Sequence, residues 1–252
     1  MHVHVALGPA DFASADLSGR TALVVDVLRA TTSVVAACAA GCRSVIPVPD
    51  EAAARRVAAR FPSGECLLAG ERGGDPIPGF DLGNSPLEYT RDRVAGRVIV
   101  LTTTNGTRAM LAAEGAAAVA VASLTNAAAA ARWARETGAD ITVLCAGEKG
   151  RFCLEDAVCA GFVVEALAAH ASNGQRLSDA AVAARRIASA YAGRLERLVE
   201  DAAWARHLHK AGRTEDFAAC LALSTVEQVP VRSGGAIVPG PAARPAELDA
   251  RR

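Results

Sequence analysis

The 252-residue chain carries 27 basic and 27 acidic residues, so no global field draws it to nucleic acid or a membrane surface, and its charge must act locally. Aromatic residues make up only 4%, too few for a base-stacking platform, and no uncharged apolar run reaches the roughly 18 residues of a membrane helix. Seven cysteines, an odd number set mostly among apolar or small neighbours and without a CxxC pair, argue against a disulfide framework and a structural zinc site.

The opening MHVHVALGPADF has no basic start before an apolar stretch, so the expectation is a cytoplasmic protein with a small-molecule partner, and the pair His2 and His4 is expected at the surface. Short β-branched runs then alternate with Ala-rich stretches, the pattern of a mostly parallel sheet with crossover helices. Strands are predicted over 22–26, 44–48, 66–69, 98–102, 118–121 and 141–145. Helices are predicted over 33–40 ending at Gly41, 51–60 capped by Asp50, 106–114 ending at Gly115, and 127–136 capped by Asn126.

After Gly150, Leu154, Val158 and Phe162 recur at helical spacing, and helical composition continues to about Cys220 with a break near SNGQ. Residues 185–210, including His207 and His209, read as a solvated helix face. VPVRSGGAIVP is expected to add one late strand, and 240–252 to form a flexible tail. The fold class is therefore α/β, three layers around a mostly parallel sheet with a helical C-terminal third. Residues 1–239 are expected as one unit, or as two related halves meeting near 125–140, because VVDVLRATTS and VLTTTNGTRA share a strand, Thr-rich turn, helix plan. An Ala-rich helical face leaves room for a homodimer.

In open α/β sheets ligands sit where strand ends pass into helices, since helix N-termini present unpaired N–H groups. Four segments there carry chemistry. DVLRATTS offers Asp26, Arg29 and a run of hydroxyls, with simple helix capping as the structural alternative. TTTNGTRA offers Thr104, Asn105 and Gly106, donors and a pliable backbone for an oxyanion, without Walker spacing. GERGGDPIPGFDLGNSP, too long and too varied for a plain connection, offers Glu71, Arg72, Asp75, Asp81 and Asn84. CAGEKGRFCLED offers Glu148, Lys149, Arg151, Glu155 and Asp156. Carboxylates beside cations on several such turns suit Mg²⁺ holding a phosphate. Cys145 and Arg151 stand in the C-x5-R spacing of thiolate phosphatases, but Glu148 between them would repel a dianion, so Cys145 is read as structural.

Taken in order, DVLRATTS, GERGG…GFDLGNSP, TTTNGT and CAGEKGRFCLEDAVCAG resemble the 2-phosphosulfolactate phosphatase (ComB) family. The likeness runs from Leu23 to Gly161, and GRTEDFAACLALSTVEQVP extends it to Pro230. The resemblance implies an α/β protein and a Mg²⁺-dependent acid phosphatase that converts 2-phospho-3-sulfolactate to 3-sulfolactate and phosphate in coenzyme M biosynthesis. Matching positions are Asp26, Arg29, Glu71, Arg72, Asp81, Asn84, Asn105, Gly106, Glu148, Lys149, Glu155 and Asp156. Chemistry, rather than resemblance, assigns the roles. Mg²⁺ is expected on two or three of Asp26, Glu71, Glu148 and Asp156, with Asp26 and Glu148 catalytic. Arg29, Arg72, Asn84, Thr104, Asn105, Gly106 and Lys149 are expected to bind a small anionic substrate. The alternatives are a phosphatase of another small phosphorylated hydroxyacid and a non-catalytic anion-binding protein.

Overall fold

The computed structural model describes residues 1–12, 15–169 and 175–240. The strands are β1 (His2–Ala6), β2 (Thr21–Val25), β3 (Ser44–Pro47), β4 (Cys66–Arg72), β5 (Asp75–Pro76), β6 (Val98–Thr102), β7 (Ala118–Ala122), β8 (Ile141–Cys145), β9 (Arg176–Leu177), β10 (Pro230–Ser233) and β11 (Ala236–Pro239). The helices are α1 (Ala30–Ala39), α2 (Glu51–Ala58), α3 (Arg91–Val94), α4 (Gly106–Ala112), α5 (Ala127–Glu136), α6 (Leu154–Ala168), α7 (Asp179–Tyr191), α8 (Leu198–Asp201), α9 (Ala203–Lys210) and α10 (Thr214–Cys220).

All strands join one sheet in the order β5-β4-β6-β3-β11-β10-β7-β2-β8-β1-β9. Two parallel blocks, β4-β6-β3 and β7-β2-β8-β1-β9, are bridged by the antiparallel hairpin β10–β11. Three successive reversals lie between β3 and β7, so the blocks run in opposite senses through the sheet.

Residues of β2, β6, β7 and β8 are buried on both faces, and their period-two alternation divides them between separate cores. Leu23, Val25, Val143 and Cys145 face a core closed by α5, α6 and α7. Ala22, Val24, Ile99, Leu101 and Leu144 face a second core that holds Val34, Val35 and Cys38 of α1 together with Ala109 and Met110 of α4. The strand-turn-helix units β2–α1 and β6–α4 therefore come from different blocks but share one interior.

Helix starts follow local chemistry. Asp50 Oδ1 accepts from the Ala53 N–H at 2.7 Å and starts α2 as expected. α4 is held at its start by Thr103, whose Oγ1 accepts from the Thr107 N–H at 3.1 Å. Asn126, expected to cap α5, instead accepts from the Ser123 N–H at 2.8 Å and closes a short 3-10 turn ahead of the helix.

Three expectations are corrected. The N-terminus is a strand, β1, paired with β8 and β9, and His2 and His4 are half-buried there; two histidines in a five-residue alternation masked its periodicity. The late strand is a two-stranded hairpin, because Gly234 adopts φ 59° and turns the chain between two apolar runs. The long loop opens as a tight hairpin, with Glu71 opposite Pro76 and Arg72 opposite Asp75 across Gly73 and Gly74. The expected break near SNGQ and the tail at 241–252 fall largely or wholly outside the described residues. Among the described residues no helix is long and apolar enough to cross a membrane.

Candidate active site

The turns after β2, β4, β6 and β8 converge on one pocket of about 390 Å³ counting its open mouth. Asp26, Arg29, Glu71, Asn84, Thr104, Asn105, Glu148 and Lys149 line it, together with Leu28, Gly73, Gly74 and Trp204. An adjoining recess shares Asp26, Asn105, Glu148 and Trp204 and adds Gly147, Cys153, Glu155 and Asp156. Gly106 makes the convergence possible: a Cβ there would lie 2.5 Å from the Ala30 Cβ and 2.7 Å from Asp26 Oδ2, so only glycine lets the starts of α4 and α1 meet.

Hydrogen bonds stitch the turns into a ring. Glu71 accepts from the N–H groups of Gly74 (2.8 Å) and Thr104 (2.7 Å) and from the Thr104 hydroxyl (3.2 Å), tying β4 to β6. Asn105 Nδ2 donates to Glu148 at 2.7 Å, and its Oδ1 accepts from the Lys149 N–H at 3.2 Å, tying β6 to β8. Asp156 accepts from the N–H groups of Val27 (2.9 Å) and Gly147 (3.0 Å), tying β8 to β2. Gly147 stands at φ 66° with Arg151 O only 2.1 Å from where a Cβ would be, so the loop requires glycine here.

The acidic side of the pocket is electrostatically uneasy. Burial, then the charges of Asp156 and Glu71, hold the Asp26 carboxyl well above the ordinary carboxylate range. Burial lifts Asp156 to about 6 against the pull of its hydrogen bonds, and burial followed by Asp156 lifts Glu155 to about 7. Among the described residues, the Asp26 carboxylate accepts a single hydrogen bond, from the Ala30 N–H at 3.3 Å.

Arg29, in the same lining, is 3% exposed and donates through Nη1 to Asp216 of α10 and through Nη2 to Gly74 O at 2.7 Å. Asp216 also accepts from the Ser85 hydroxyl. Ser33 Oγ donates to Asn84 O at 2.8 Å and fixes that residue against α1, while Asn84 Oδ1 is buried without a partner among the described residues.

Arg72 is not brought to the lining. Its guanidinium donates to Glu71 O at 2.7 Å and Thr102 Oγ1 at 3.0 Å and faces Glu51 at 3.6 Å, behind the turn. Cys145 is fully buried on β8, and burial followed by the charge of Asp156 pushes its thiol well above the usual range, the opposite of an activated nucleophile. Arg151, the other half of the C-x5-R spacing, is exposed.

One pocket residue, Trp204, and one residue behind the lining, Asp216, escaped the sequence reading. Trp204 corrects the reading of 185–210 as a solvated face: its Nε1–H donates to Leu28 O at 2.8 Å and its ring stacks on the exposed His207, centroids 4.7 Å apart. Asp216, the counter-ion of Arg29, lies 187 positions away in sequence, and its one signal was its place in GRTEDFAAC.

No three His, Cys, Asp or Glu side chains among the described residues form a ready-made metal cage. Mg²⁺ does not require one, since it is commonly held by one or two carboxylates completed by water and substrate phosphate. Asp26 and Glu148 supply oxygen donors on one pocket, and the self-repelling carboxyls around Asp26 are the environment a divalent cation relieves. The donor set fits the metal.

Residues 7–235 match the family model described as 2-phosphosulpholactate phosphatase. The chain is 42% identical over 223 residues to a probable 2-phosphosulfolactate phosphatase of Symbiobacterium thermophilum, covering 88% of this chain and 95% of that protein. It is 40% identical over 218 residues to one of Gloeobacter violaceus, covering 86% and 90%, and 35% identical over 222 residues to one of Caldanaerobacter subterraneus subsp. tengcongensis, covering 88% and 91%.

Proposed function

Since the chain belongs to the 2-phosphosulpholactate phosphatase family, we propose that its pocket hydrolyses the phosphate ester of 2-phosphosulfolactate, releasing sulfolactate and inorganic phosphate. One observation carries the reading: turns from four separate strands place Asp26, Arg29, Asn84, Asn105, Glu148 and Lys149 around a single open pocket.

Asp26 is the proposed base. Its carboxylate lines the pocket and accepts one hydrogen bond among the described residues, so it has an oxygen free to align a water for in-line attack on phosphorus and take its proton. Asp26 and Glu148, supported by Glu71 and Asp156, would hold Mg²⁺. When bound there, the ion would supply positive charge against the phosphate oxygens. Lys149 and the Thr104–Asn105 turn meet the remaining phosphate oxygens. Asn105 has a second task, since its hydrogen bond to Glu148 keeps that carboxylate turned inward.

The deciding experiment is a phosphate-release assay on 2-phosphosulfolactate and a panel of other phosphomonoesters, with and without Mg²⁺. The reading predicts Mg²⁺-dependent release with 2-phosphosulfolactate preferred. Ligand binding without release would identify an anion-binding protein instead. Single turnover in ¹⁸O-water is expected to place the label in phosphate, and label in the Asp26 carboxylate would replace water attack by covalent catalysis.

A further inference from the structure

The pocket has two unlike ends, and the second has chemistry of its own. Arg29 and Asn84, 3% and 5% exposed, both line the cavity. They are joined through a buried chain: Arg29 donates to Asp216, Asp216 accepts from Ser85, and Ser85 follows Asn84. Among the described residues two of the five guanidinium N–H groups are engaged, by Asp216 and by Gly74 O. Independently, the side-chain oxygen of Asn84 is buried without a partner among the described residues, which leaves its amide held by no side-chain hydrogen bond there and able to adjust to a ligand.

We propose that this corner is the subsite for the substrate's carboxylate and that Asp216, on α10, is the positioning residue that sets it; the proposal rests on the phosphatase reading above. Asp216 offsets the charge of Arg29, so the corner presents directed donors with little net charge. That suits a planar monoanion better than a phosphate dianion, which is drawn to Lys149 and a cation held by the carboxylates. The Asn84 NH₂, which makes no hydrogen bond among the described residues, can join the remaining guanidinium N–H groups in receiving the edge of a carboxylate. Selectivity for phosphorylated 2-hydroxy acids over simple alkyl phosphates then resides in Arg29 and Asn84. Asp216 never touches the ligand.

The test compares 2-phospholactate with isopropyl phosphate, which keeps the phosphate and the branched carbon but lacks the carboxylate. Wild-type protein is expected to favour phospholactate, and Asn84→Ala to lower the ratio of the two kcat/KM values at least tenfold. Asp216→Ala is expected to lower the same ratio, with partial rescue in Asp216→Glu. A purely structural Asp216 would instead depress both esters alike. Should Asp216→Ala fail to fold, Asn84→Ala and Arg29→Lys carry the test. Calorimetric binding of sulfolactate reads the subsite without turnover: at least tenfold weaker binding in Asn84→Ala is expected. A ratio within twofold of wild type together with unchanged sulfolactate affinity overturns the proposal. Release of phosphate from neither ester by wild-type protein would count against the phosphatase reading, and the binding measurement would still decide the subsite.

Discussion

The two ends of the pocket are both buried and both charged, yet they differ in how the charge is satisfied. At one end, Arg29 and Asp216 neutralise each other, and Ser85 and Gly74 take further hydrogen bonds of the pair. At the other, burial pushes the carboxyls of Asp26, Glu155 and Asp156 upward, helped at Asp26 and Glu155 by the charge of Asp156 and at Asp156 by that of Glu148. A charge compensated inside the protein is part of its scaffold, whereas buried like charges without compensation mark a place that a ligand completes.

Substitutions at the two ends should therefore have opposite signatures. Asp26→Asn is expected to reduce kcat/KM on the order of 10²-fold or more, with a melting temperature equal to or above wild type, since it removes a repelling charge. Asp216→Ala strands the buried Arg29 cation and should cost about 3–5 kcal/mol of stability, read by denaturant unfolding. Equal stability losses in the two variants would erase the contrast.

The pH dependence sharpens it. Glu155 has a folded-state pKa of about 7, above that of an unfolded glutamate, so it binds its proton more tightly in the folded chain. Its contribution to stability is full below about pH 4 and is lost as pH rises through about 7. Glu155→Gln should therefore gain stability over wild type between pH 5 and pH 8, by on the order of 2 kcal/mol, in chelator-treated protein. A variant whose advantage shrinks over that range would contradict the sign.

The smallest effect is expected at Cys145, which lies under the pocket without lining it. Cys145→Ser should retain activity within about threefold while losing about 1–2 kcal/mol of stability for its buried hydroxyl. Abolished activity in a folded variant would restore the thiolate nucleophile.

Much of this was legible in sequence because it is local. β-Branched runs bounded by Gly and Pro marked β2, β3, β6, β7 and β8, and the charged turns after β2, β4, β6 and β8 carried most of the residues that line the pocket. What escaped is non-local. Nothing near Asp216 signals that it meets Arg29, and Trp204 sits in a segment whose charges follow an ordinary surface pattern. Arg72 shows the converse: it belongs to the right motif, but the period-two geometry of the β4–β5 hairpin directs its neighbour Glu71 into the pocket and Arg72 toward Glu51. β1 was hidden by its histidines, and the segment of the central β10–β11 hairpin was read as one strand because each half is so brief.

The most direct test of the central claim, that the acidic end is completed by a cation, is the melting temperature of wild-type and Asp26→Asn protein at pH 7.5 as Mg²⁺ is added after chelation. Ligand that binds only the folded state raises stability by mass action. The wild-type melting temperature is predicted to rise by several degrees at concentrations well above the dissociation constant, and that of Asp26→Asn to stay nearly flat. A wild-type protein whose melting temperature ignores both Mg²⁺ and Mn²⁺ would contradict the account.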